Sequence, residues 1–352
     1  MRLLIYADPH WSTTSSIIRS RGEKYSRRLE GLIKTMQWIE NLAVEENCSS
    51  IVCLGDFFDT ATLNSEEISA LHEIAWSNKY HYFIVGNHEI GKYDLSLNSV
   101  NALGLADKFD IIDRPAEIPI WKKDTAVICV PYILDKDRKP LKEYLLQACP
   151  HIDDREHVIV FSHNDIKGVQ MGRFISTSGF ELSEIKDNCS LFVNGHLHNG
   201  CEVAPGVINL GNITGQNFGE DAYQFTHNAM IIDTDTHQYS YVENPFAFNF
   251  YKLDFTNYSR AKIIDTLKWL KNNAVVSISI KEDLVQELND VMPSFTNIVA
   301  SRITVVRDVV DVNNIESMPK VDHIEMFRNF VLTSIGDSDM IREELGKVGG
   351  LL

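Results

Sequence analysis

The stretch Leu3-Leu4-Ile5-Tyr6-Ala7-Asp8-Pro9-His10 opens the chain with a short apolar run that ends in a carboxylate and an imidazole. The same arrangement recurs along the sequence, each time with polar side chains directly after an apolar run. The later clusters are Gly55-Asp56-Phe57-Phe58-Asp59, Gly86-Asn87-His88-Glu89, His163 and Gly195-His196-Leu197-His198. Polar clusters at the ends of strands are typical of sites in α/β sheets, because loops converge there on a rigid frame.

Short apolar runs typical of strands alternate along the chain with segments whose apolar residues follow helical spacing. This alternation predicts an α/β layered domain with a buried sheet. Strands are predicted at 3–6, 50–54 and 82–85, with helices over 31–39 and 68–76 between them. From about residue 110 the apolar runs are shorter, and a second sheet packed on the first would explain them. The clearest of these runs are 126–130, 158–161, 190–193, 207–210 and 230–233.

Three segments are predicted along the chain. Residues 1–245 carry the polar clusters, residues 246–312 have the pattern of a small β-α-β-α-β unit, and residues 313–352 are predicted to form a helical tail. In the tail Val321, Ile324, Phe327 and Val331 follow helical spacing and predict an apolar face. That face packs either on its own chain or on the helices of a partner.

Composition limits the possible partners. The chain has 33 Lys and Arg against 49 Asp and Glu, a net charge of −16, which repels a polyanion at long range. Any nucleic-acid contact must then be local, and the densest basic segment is a candidate for it. The alternative for that segment is an ordinary solvated helix face. Its residues are Arg19, Arg21, Lys24, Arg27 and Arg28.

The location of the protein is predicted to be cytoplasmic. The apolar start is interrupted by Asp8, and no run reaches the roughly 18 apolar residues that would span a bilayer. The six cysteines contain no C-x-x-C pair, so ordinary reduced thiols are expected.

The donor types in the clusters indicate a binuclear metal hydrolase. Two divalent ions about 3.5–4 Å apart can activate a nucleophile and neutralise phosphoryl oxygens. Asp56 is the candidate for a carboxylate that bridges both ions, and Asp8 and His10 are spaced i, i+2 so that both can face one ion. A mixture of oxygen and imidazole donors suits manganese or iron and tolerates zinc.

The order D-x-H, G-D-x-x-D, G-N-H-[DE], H and G-H-x-H resembles the calcineurin-like metallophosphoesterase superfamily, over roughly residues 1–245. Within it the chain is most similar to SbcD-type nucleases, including bacteriophage recombination endonuclease subunits. The resemblance implies a two-sheet β-sandwich flanked by helices, with a small α/β capping domain and a C-terminal helical segment. It also implies two metal ions, Mn²⁺ first, with Mg²⁺, Fe²⁺ or Zn²⁺ as alternatives.

Residue roles follow from the same resemblance. One ion would be held by Asp8, His10, Asp56 and His198, and the other by Asp56, Asn87, His163 and His196. His88 would lie outside both sets and face the leaving oxygen, with Asp59 orienting its ring. An imidazole suits that role because its pKa lies near neutral pH.

Glu89 introduces a rival, because Ser/Thr phosphoprotein phosphatases carry G-N-H-E. Those enzymes also have one arginine before that motif and another after G-D-x-x-D, which hold a phosphate dianion. This chain has Val85 at the first position, and Thr60 and Ala61 at the second. The flanks therefore favour a diester over a phosphoserine.

Partners and activity are likewise expectations from the resemblance. The expected activities are exonucleolytic cleavage of duplex DNA ends and endonucleolytic cleavage of single strands. The expected assembly is a homodimer that binds a coiled-coil ABC-type ATPase of the SbcC type, in a bacterial or phage-infected host cytoplasm. The alternatives are a small-molecule or nucleotide phosphodiesterase or phosphatase, and a subunit that has lost its chemistry. The last is disfavoured because every expected ligand position is filled.

Overall fold

The computed structural model of the chain describes residues 1–15, 17–92, 94–104, 107–171 and 174–307. The predicted tail at 313–352 and the end of the 246–312 unit lie outside the described residues. The helices are α1 (Arg27–Glu45), α2 (Ser65–Leu71), α3 (Leu141–Ala148), α4 (Leu182–Asn188), α5 (Arg260–Lys268) and α6 (Val285–Val291). The strands are β1 (Arg2–Tyr6), β2 (Ser50–Cys53), β3 (Tyr80–Ile84), β4 (Ile90–Gly91), β5 (Asp94–Asn98), β6 (Phe109–Ile112), β7 (Ala116–Ile118), β8 (Thr125–Val130), β9 (His157–Ser162), β10 (Gln170–Met171), β11 (Phe174–Ile175), β12 (Leu191–Asn194), β13 (Cys201–Ala204), β14 (Val207–Asn209), β15 (Asn228–Asp233), β16 (Gln238–Glu243), β17 (Asn249–Asp254), β18 (Ala274–Lys281) and β19 (Ile298–Val306).

Two six-stranded sheets form the body of the described residues. The first has the order β16-β15-β1-β2-β3-β6, and the second has the order β13-β14-β12-β9-β8-β7. In each sheet four neighbouring strands are parallel: β1, β2, β3 and β6 in the first, and β14, β12, β9 and β8 in the second. Because parallel neighbours end at the same edge, the loops after these strands are brought together.

Alternation along the strands produces the layers. In β1, Leu3 and Ile5 enter the core between the two sheets, while Leu4 and Tyr6 face the core under α1. The second sheet uses its outer face in the same way, against α3 and α4. The predicted α/β sandwich of two sheets flanked by helices is confirmed.

Capping explains where the first two helices begin. α1 starts before the predicted 31–39 because the Ser26 side chain accepts from the Leu29 amide. The sequence pattern predicts α2 at 68–76, but Asn64 and Glu67 form a reciprocal capping box that starts the helix at Ser65. The predicted C-terminal boundary of α2 was wrong, since the helix ends at Leu71.

The element order predicted after residue 246 is observed. Strands β17, β18 and β19 form a parallel three-stranded sheet, with α5 and α6 as crossovers. We call residues 246–306 the small domain, although they belong to the same compact unit as the sandwich. It packs on the sandwich through Phe248, Phe250 and Val275, which share a core cluster with Ile18. The exact boundaries at 245 and 312 stay predictions.

None of the described helices is long and apolar enough to cross a membrane.

Candidate metal centre

The loops that follow five parallel strands supply the predicted ligands. Asp8 and His10 follow β1, Asp56 follows β2, and Asn87 follows β3. From the second sheet, the loops after β9 and β12 bring His163, His196 and His198 to the same place. The structure thus gathers all seven predicted ligands at the carboxyl edges of both sheets, as expected for an α/β site.

Two glycines make this convergence sterically possible. A Cβ on Gly86 would lie 2.1 Å from Asp56 Oδ1, and a Cβ on Gly55 would lie 2.3 Å from His163 Nδ1. Gly55 also has a φ of +108°, a region that L side chains rarely adopt. Any side chain at either position would have to displace a predicted ligand.

The first ligand group contains Asp8, His10 and His198. His10 donates its Nδ1 proton to Asp59 Oδ1 at 3.0 Å, and His198 donates its Nδ1 proton to Glu220 Oε1 at 2.9 Å. A carboxylate only accepts, so each neutral ring keeps its lone pair on Nε2. The two Nε2 atoms are 3.0 Å apart. Two lone pairs at this separation suit a shared cation.

The second group contains Asp56, His163 and His196, with Asn87 beside them. His163 Nε2 lies 3.2 Å from Asp56 Oδ2 and 3.1 Å from Asn87 Oδ1. Its Nδ1 donates to the Leu54 carbonyl at 2.8 Å. His196 is turned the other way, with Nδ1 2.9 Å from Asn87 Oδ1 and Nε2 3.3 Å from Asp165 Oδ1.

Charges in this buried group support each other. Burial alone would raise the pKa of Asp56, but the adjacent His163 imidazole holds that pKa below its usual range. Although burial works in the opposite direction, the Asp56 carboxylate raises the pKa of His163 to about 9. Each group therefore favours the charged form of the other across 3.2 Å, and an ion bound through His163 Nε2 would take the place of a proton there.

Comparison with protein families agrees with this geometry. The sequence profile described as calcineurin-like phosphoesterase matches residues 1–200, more than half of the chain. The chain belongs to the calcineurin-like phosphoesterase family. A search of curated protein sequences found no match.

Matches among solved structures include several phosphoesterases. An archaeal phosphodiesterase has 13% identity and a TM-score of 0.35, covering 69% of this chain and 99% of its own. A dimetal phosphatase from Danio rerio has 13% identity and a TM-score of 0.41, with coverages of 69% and 96%. The calcineurin-like phosphoesterase YfkN from Bacillus subtilis has 12% identity and a TM-score of 0.37, with coverages of 69% and 88%. These figures are too low to support an inference about substrate.

Calcineurin-like phosphoesterases use a dinuclear metal centre, and the donor set of this chain fits one. Asp56 lies between the two ligand groups, because it clusters with His163 and His196 on one side and with His10 and His88 on the other. Four imidazoles, two carboxylates and one carboxamide form a mixed nitrogen and oxygen set. The division of these ligands between two ions stays a prediction.

His88 and Asp59 differ in detail from the expectation. His88 Nδ1 donates to the Asp59 backbone carbonyl at 3.0 Å, whereas the two side chains are 3.7 Å apart. The Asp59 carboxylate instead holds His10. With 44% of its side chain exposed, His88 is the most accessible imidazole of the cluster. His88 also groups with His10 and Asp56, and its place outside the metal shell stays a prediction.

Glu89 is a buried structural carboxylate. Its two oxygens accept the Phe58 amide at 3.0 Å and the Gly86 amide at 2.7 Å, which ties the β2 loop to the β3 loop. Burial and the nearby Asp56 carboxylate raise the pKa of Glu89 to about 8.

Most of the predicted basic segment is not an open cationic surface. Arg28 is buried, with Nη2 donating to the His10 carbonyl at 3.0 Å and to Gln216, so its prediction as a DNA contact was wrong. Arg21 forms a two-oxygen ion pair with Glu66, and Lys24 pairs with Glu73. Arg19 and Arg27 are exposed.

Sequence reasoning missed two residues of the site, Glu220 and Asp165. Each carboxylate orients a predicted histidine ligand, His198 and His196 respectively. Asp165 stands two residues after His163, a spacing that could have suggested it. Glu220 lies 22 residues from His198, in a loop without any recognised motif.

Proposed function

We propose that this chain is a metal-dependent DNA nuclease that hydrolyses phosphodiesters, exonucleolytically on duplex ends and endonucleolytically on single strands. Mn²⁺ is the proposed ion at both sites. The enzyme would work as a homodimer with a coiled-coil ABC-type ATPase of the SbcC type. Membership of the phosphoesterase family establishes the reaction class, and the DNA substrate is the proposal.

The observation that carries the proposal is the convergence of seven donor side chains beside an accessible imidazole. Two bound divalent ions would neutralise phosphoryl oxygens and activate the attacking water. His88, on the exposed side, would stabilise or protonate the leaving oxygen. A cleft of about 540 Å³ opens beside His196 and His198, which is within the size range of small-molecule sites. The cleft leaves room for a nucleotide and not only for a phosphate group.

The flanks of the centre favour a diester. Positions where phosphoprotein phosphatases carry arginines hold Val85, Thr60 and Ala61. Arg28 does not replace them, because its guanidinium is buried and engaged with the His10 carbonyl and Gln216. A phosphate monoester dianion would then lack the bidentate partner that an arginine provides.

A small-molecule or nucleotide phosphodiesterase is the second candidate. The net charge of −16 and the pairing of Arg21 with Glu66 and Lys24 with Glu73 favour it. Both features reduce the attraction for a long polyanion.

Substrate class is tested by incubating the purified chain with Mn²⁺, Mg²⁺ or EDTA and four substrates: labelled duplex DNA, single-stranded DNA, bis-p-nitrophenyl phosphate and p-nitrophenyl phosphate. We expect Mn²⁺-dependent cleavage of both DNAs and of the diester, with little turnover of the monoester. Cleavage of the small diester alone would refute the nuclease and leave the second candidate.

His88→Ala tests the catalytic assignment. We expect kcat to fall by roughly 10²- to 10⁴-fold, because the leaving oxygen loses its acid. Metal content, measured by elemental analysis, should stay at the wild-type value. The control is His72→Ala, an exposed histidine remote from the cluster, which should leave both quantities unchanged. Loss of one ion in His88→Ala would show that His88 is a ligand.

A further inference from the structure

Glu220 is a buried carboxylate whose two oxygens are both fully used. Oε1 accepts from His198 Nδ1 at 2.9 Å and from Asn217 Nδ2 at 2.8 Å. Oε2 accepts from Asn212 Nδ2 at 2.9 Å and from the Gln216 amide at 2.7 Å. A buried charge with this many donors has one defined position, because any movement leaves several polar groups unpaired.

That position determines how His198 presents its ring. With Nδ1–H held by Glu220, Nε2 carries the lone pair and faces His10 Nε2 at 3.0 Å. Rotation of the ring or the other tautomer would turn a proton towards the metal position. Acceptors behind metal-binding histidines commonly act in this way and affect metal affinity.

The segment carrying Glu220, residues 212–222, is held on one side by Phe248, just before the first strand of the small domain, and on the other side by that strand. We call this segment the Glu220 loop. Before Glu220, the Gly215 amide donates to the Phe248 carbonyl at 3.1 Å. After it, the Ala222 amide donates to the Phe250 carbonyl at 2.8 Å. The Glu220 loop cannot shift without breaking its pairing to the entry and first strand of the small domain.

Packing at this junction is close. A Cβ on Gly215 would lie 2.4 Å from the Phe248 carbonyl oxygen and 2.7 Å from the Phe250 ring. Phe250, in β17, is fully buried. The centre of its ring lies 5.2 Å from that of Phe218, which belongs to the Glu220 loop. Tightly packed junctions of this kind transmit displacement, since they have no free volume to absorb it.

We infer that Glu220 is a positioning residue that couples the small domain to the metal ligand His198. When the small domain packs against the Glu220 loop, Glu220 fixes the orientation of the His198 ring, and one of the two metal sites reaches full affinity for its ion. By linkage, ion binding at that site stabilises the packing of the small domain against the loop. The inference rests on the proposed two-metal centre and adds a control on one of its sites.

The test measures Mn²⁺ affinity by calorimetry, with elemental analysis for stoichiometry, in the full chain. Glu220→Gln keeps the shape but removes the charge, and should weaken one site by roughly 10- to 100-fold while sparing the other. Gly215→Ala, which pushes β17 away from the loop, should weaken the same site. In the double variant the loss should equal that of the stronger single variant, because both changes act through one contact.

Two matched controls separate coupling from general damage. Glu40→Gln neutralises another buried carboxylate, which is not part of the metal cluster. Its Oε2 accepts a hydrogen bond from the Ser77 amide at 2.9 Å. Gly104→Ala adds a methyl group at ordinary contact distance, 3.5 Å from the nearest atom. Both should bind Mn²⁺ like the wild type. Thermal unfolding in EDTA shows whether each variant is folded.

The tautomer gives a readout independent of metal and activity. In EDTA, at an alkaline pH where the His198 ring is neutral, long-range ¹H–¹⁵N spectra of histidine-labelled protein should show His198 as the Nδ1–H form in the wild type and as a mixture in Glu220→Gln. Glu220→Asp, which retains the charge, should recover part of the affinity and serves if the Gln variant does not fold.

Several results would overturn the coupling. Wild-type affinity at both sites in Glu220→Gln would remove the positioning role, and additive losses in the double variant would remove the link to the small domain. A wild-type chain that binds fewer than two ions would instead contradict the proposed function itself.

Discussion

Backbone conformation at the predicted ligands is unusual at the scale of single residues. Asp8, His10, Asp56 and His196 all have positive φ, at 50°, 47°, 47° and 71°. Non-glycine residues in this region cost of order 1–3 kcal/mol each, and persist only where their surroundings impose them. Here the compensation comes from contacts across the cluster, such as the His196 amide donating to Asp8 Oδ1 at 3.1 Å. Four such residues around one centre agree with a functional role.

Gly86→Ala should disrupt metal binding, because the new methyl group would collide with Asp56 Oδ1 at 2.1 Å and with the Asp56 backbone nitrogen at 2.5 Å. We expect Mn²⁺ affinity to fall by roughly tenfold or more, as the central carboxylate shifts. Calorimetric titration measures this directly. Gly104→Ala is the control, and equal affinities in both variants would mean that the Gly86 loop can relax without moving Asp56.

At the scale of elements, α1 does two tasks. Its first turn places Arg28 under the His10 loop, where it braces the backbone of a predicted ligand. Further along, Glu40 faces His81 of β3, with Nε2 and Oε2 3.6 Å apart and both side chains buried. The His81 ring also packs among Trp76, Phe83 and Phe109. This aromatic contact joins the helix layer to the first sheet.

The buried His81 should make stability depend on pH. Burial lowers the pKa of His81 to about 3. Below pH ~6.5 the imidazole is therefore protonated in the unfolded chain but stays neutral in the folded chain, which lowers the free energy of unfolding. The contribution is fully present above pH ~6.5 and is lost as the pH falls towards 3. Between pH 7 and pH 5 the loss is about 1–2 kcal/mol of unfolding free energy.

His81→Phe should remove that dependence while keeping the aromatic packing. Burial raises the pKa of the facing Glu40, which changes the pH dependence in the opposite direction, so the variant should lose less stability than the wild type on acidification. Denaturant unfolding in EDTA at pH 7 and pH 5 gives the comparison. His151→Gln, at an exposed histidine, should follow the wild type. Parallel pH profiles for wild type and His81→Phe would contradict the assignment.

For the whole molecule, the candidate metal centre is where the two sheets meet at one edge. Asp8, Asp56 and Asn87 come from the first sheet, whereas His163 and His198 come from the second. Bound ions would therefore crosslink the layers of the sandwich in addition to their chemical role.

Removing metal should lower the melting temperature. An ion present at 100 times its dissociation constant stabilises a folded protein by about 2.7 kcal/mol per site. For a chain of this size we expect Mn²⁺ to raise the melting temperature by roughly 3–10 °C over EDTA. Asp56→Asn should abolish most of the difference, because it neutralises the central ligand. An unchanged shift in that variant would place the stabilising ion elsewhere.

The tail is tested by removing residues 316–352, which lie outside the described residues. If the tail binds the coiled-coil base of the proposed ATPase, the shortened chain should lose association in sedimentation or pull-down assays with that partner. Mn²⁺-dependent cleavage of bis-p-nitrophenyl phosphate should persist at a rate comparable to the full chain. Undiminished association would show that the partner binds another part of the molecule.

Much of the architecture follows from local pattern. Continuous apolar runs such as 3–6 predict strands that are buried on both faces, and the helical spacing between the runs predicts the helices that cover them. The clusters after those runs predict a common site, since parallel strands end at one edge. The element order of the small domain follows in the same way.

What only the tertiary structure decided concerns partners that are distant in sequence. The Asp59 carboxylate accepts a hydrogen bond from His10 and not from His88. The buried Arg28 donates to the His10 carbonyl, and Glu220 accepts from His198. No periodicity encodes these contacts, because loop directions depend on the packing of both sheets and of the small domain. The sequence by itself determined the sandwich and the ligand types, while three-dimensional packing decided how each ligand is held, since hydrogen-bond geometry exists only once the loops have met.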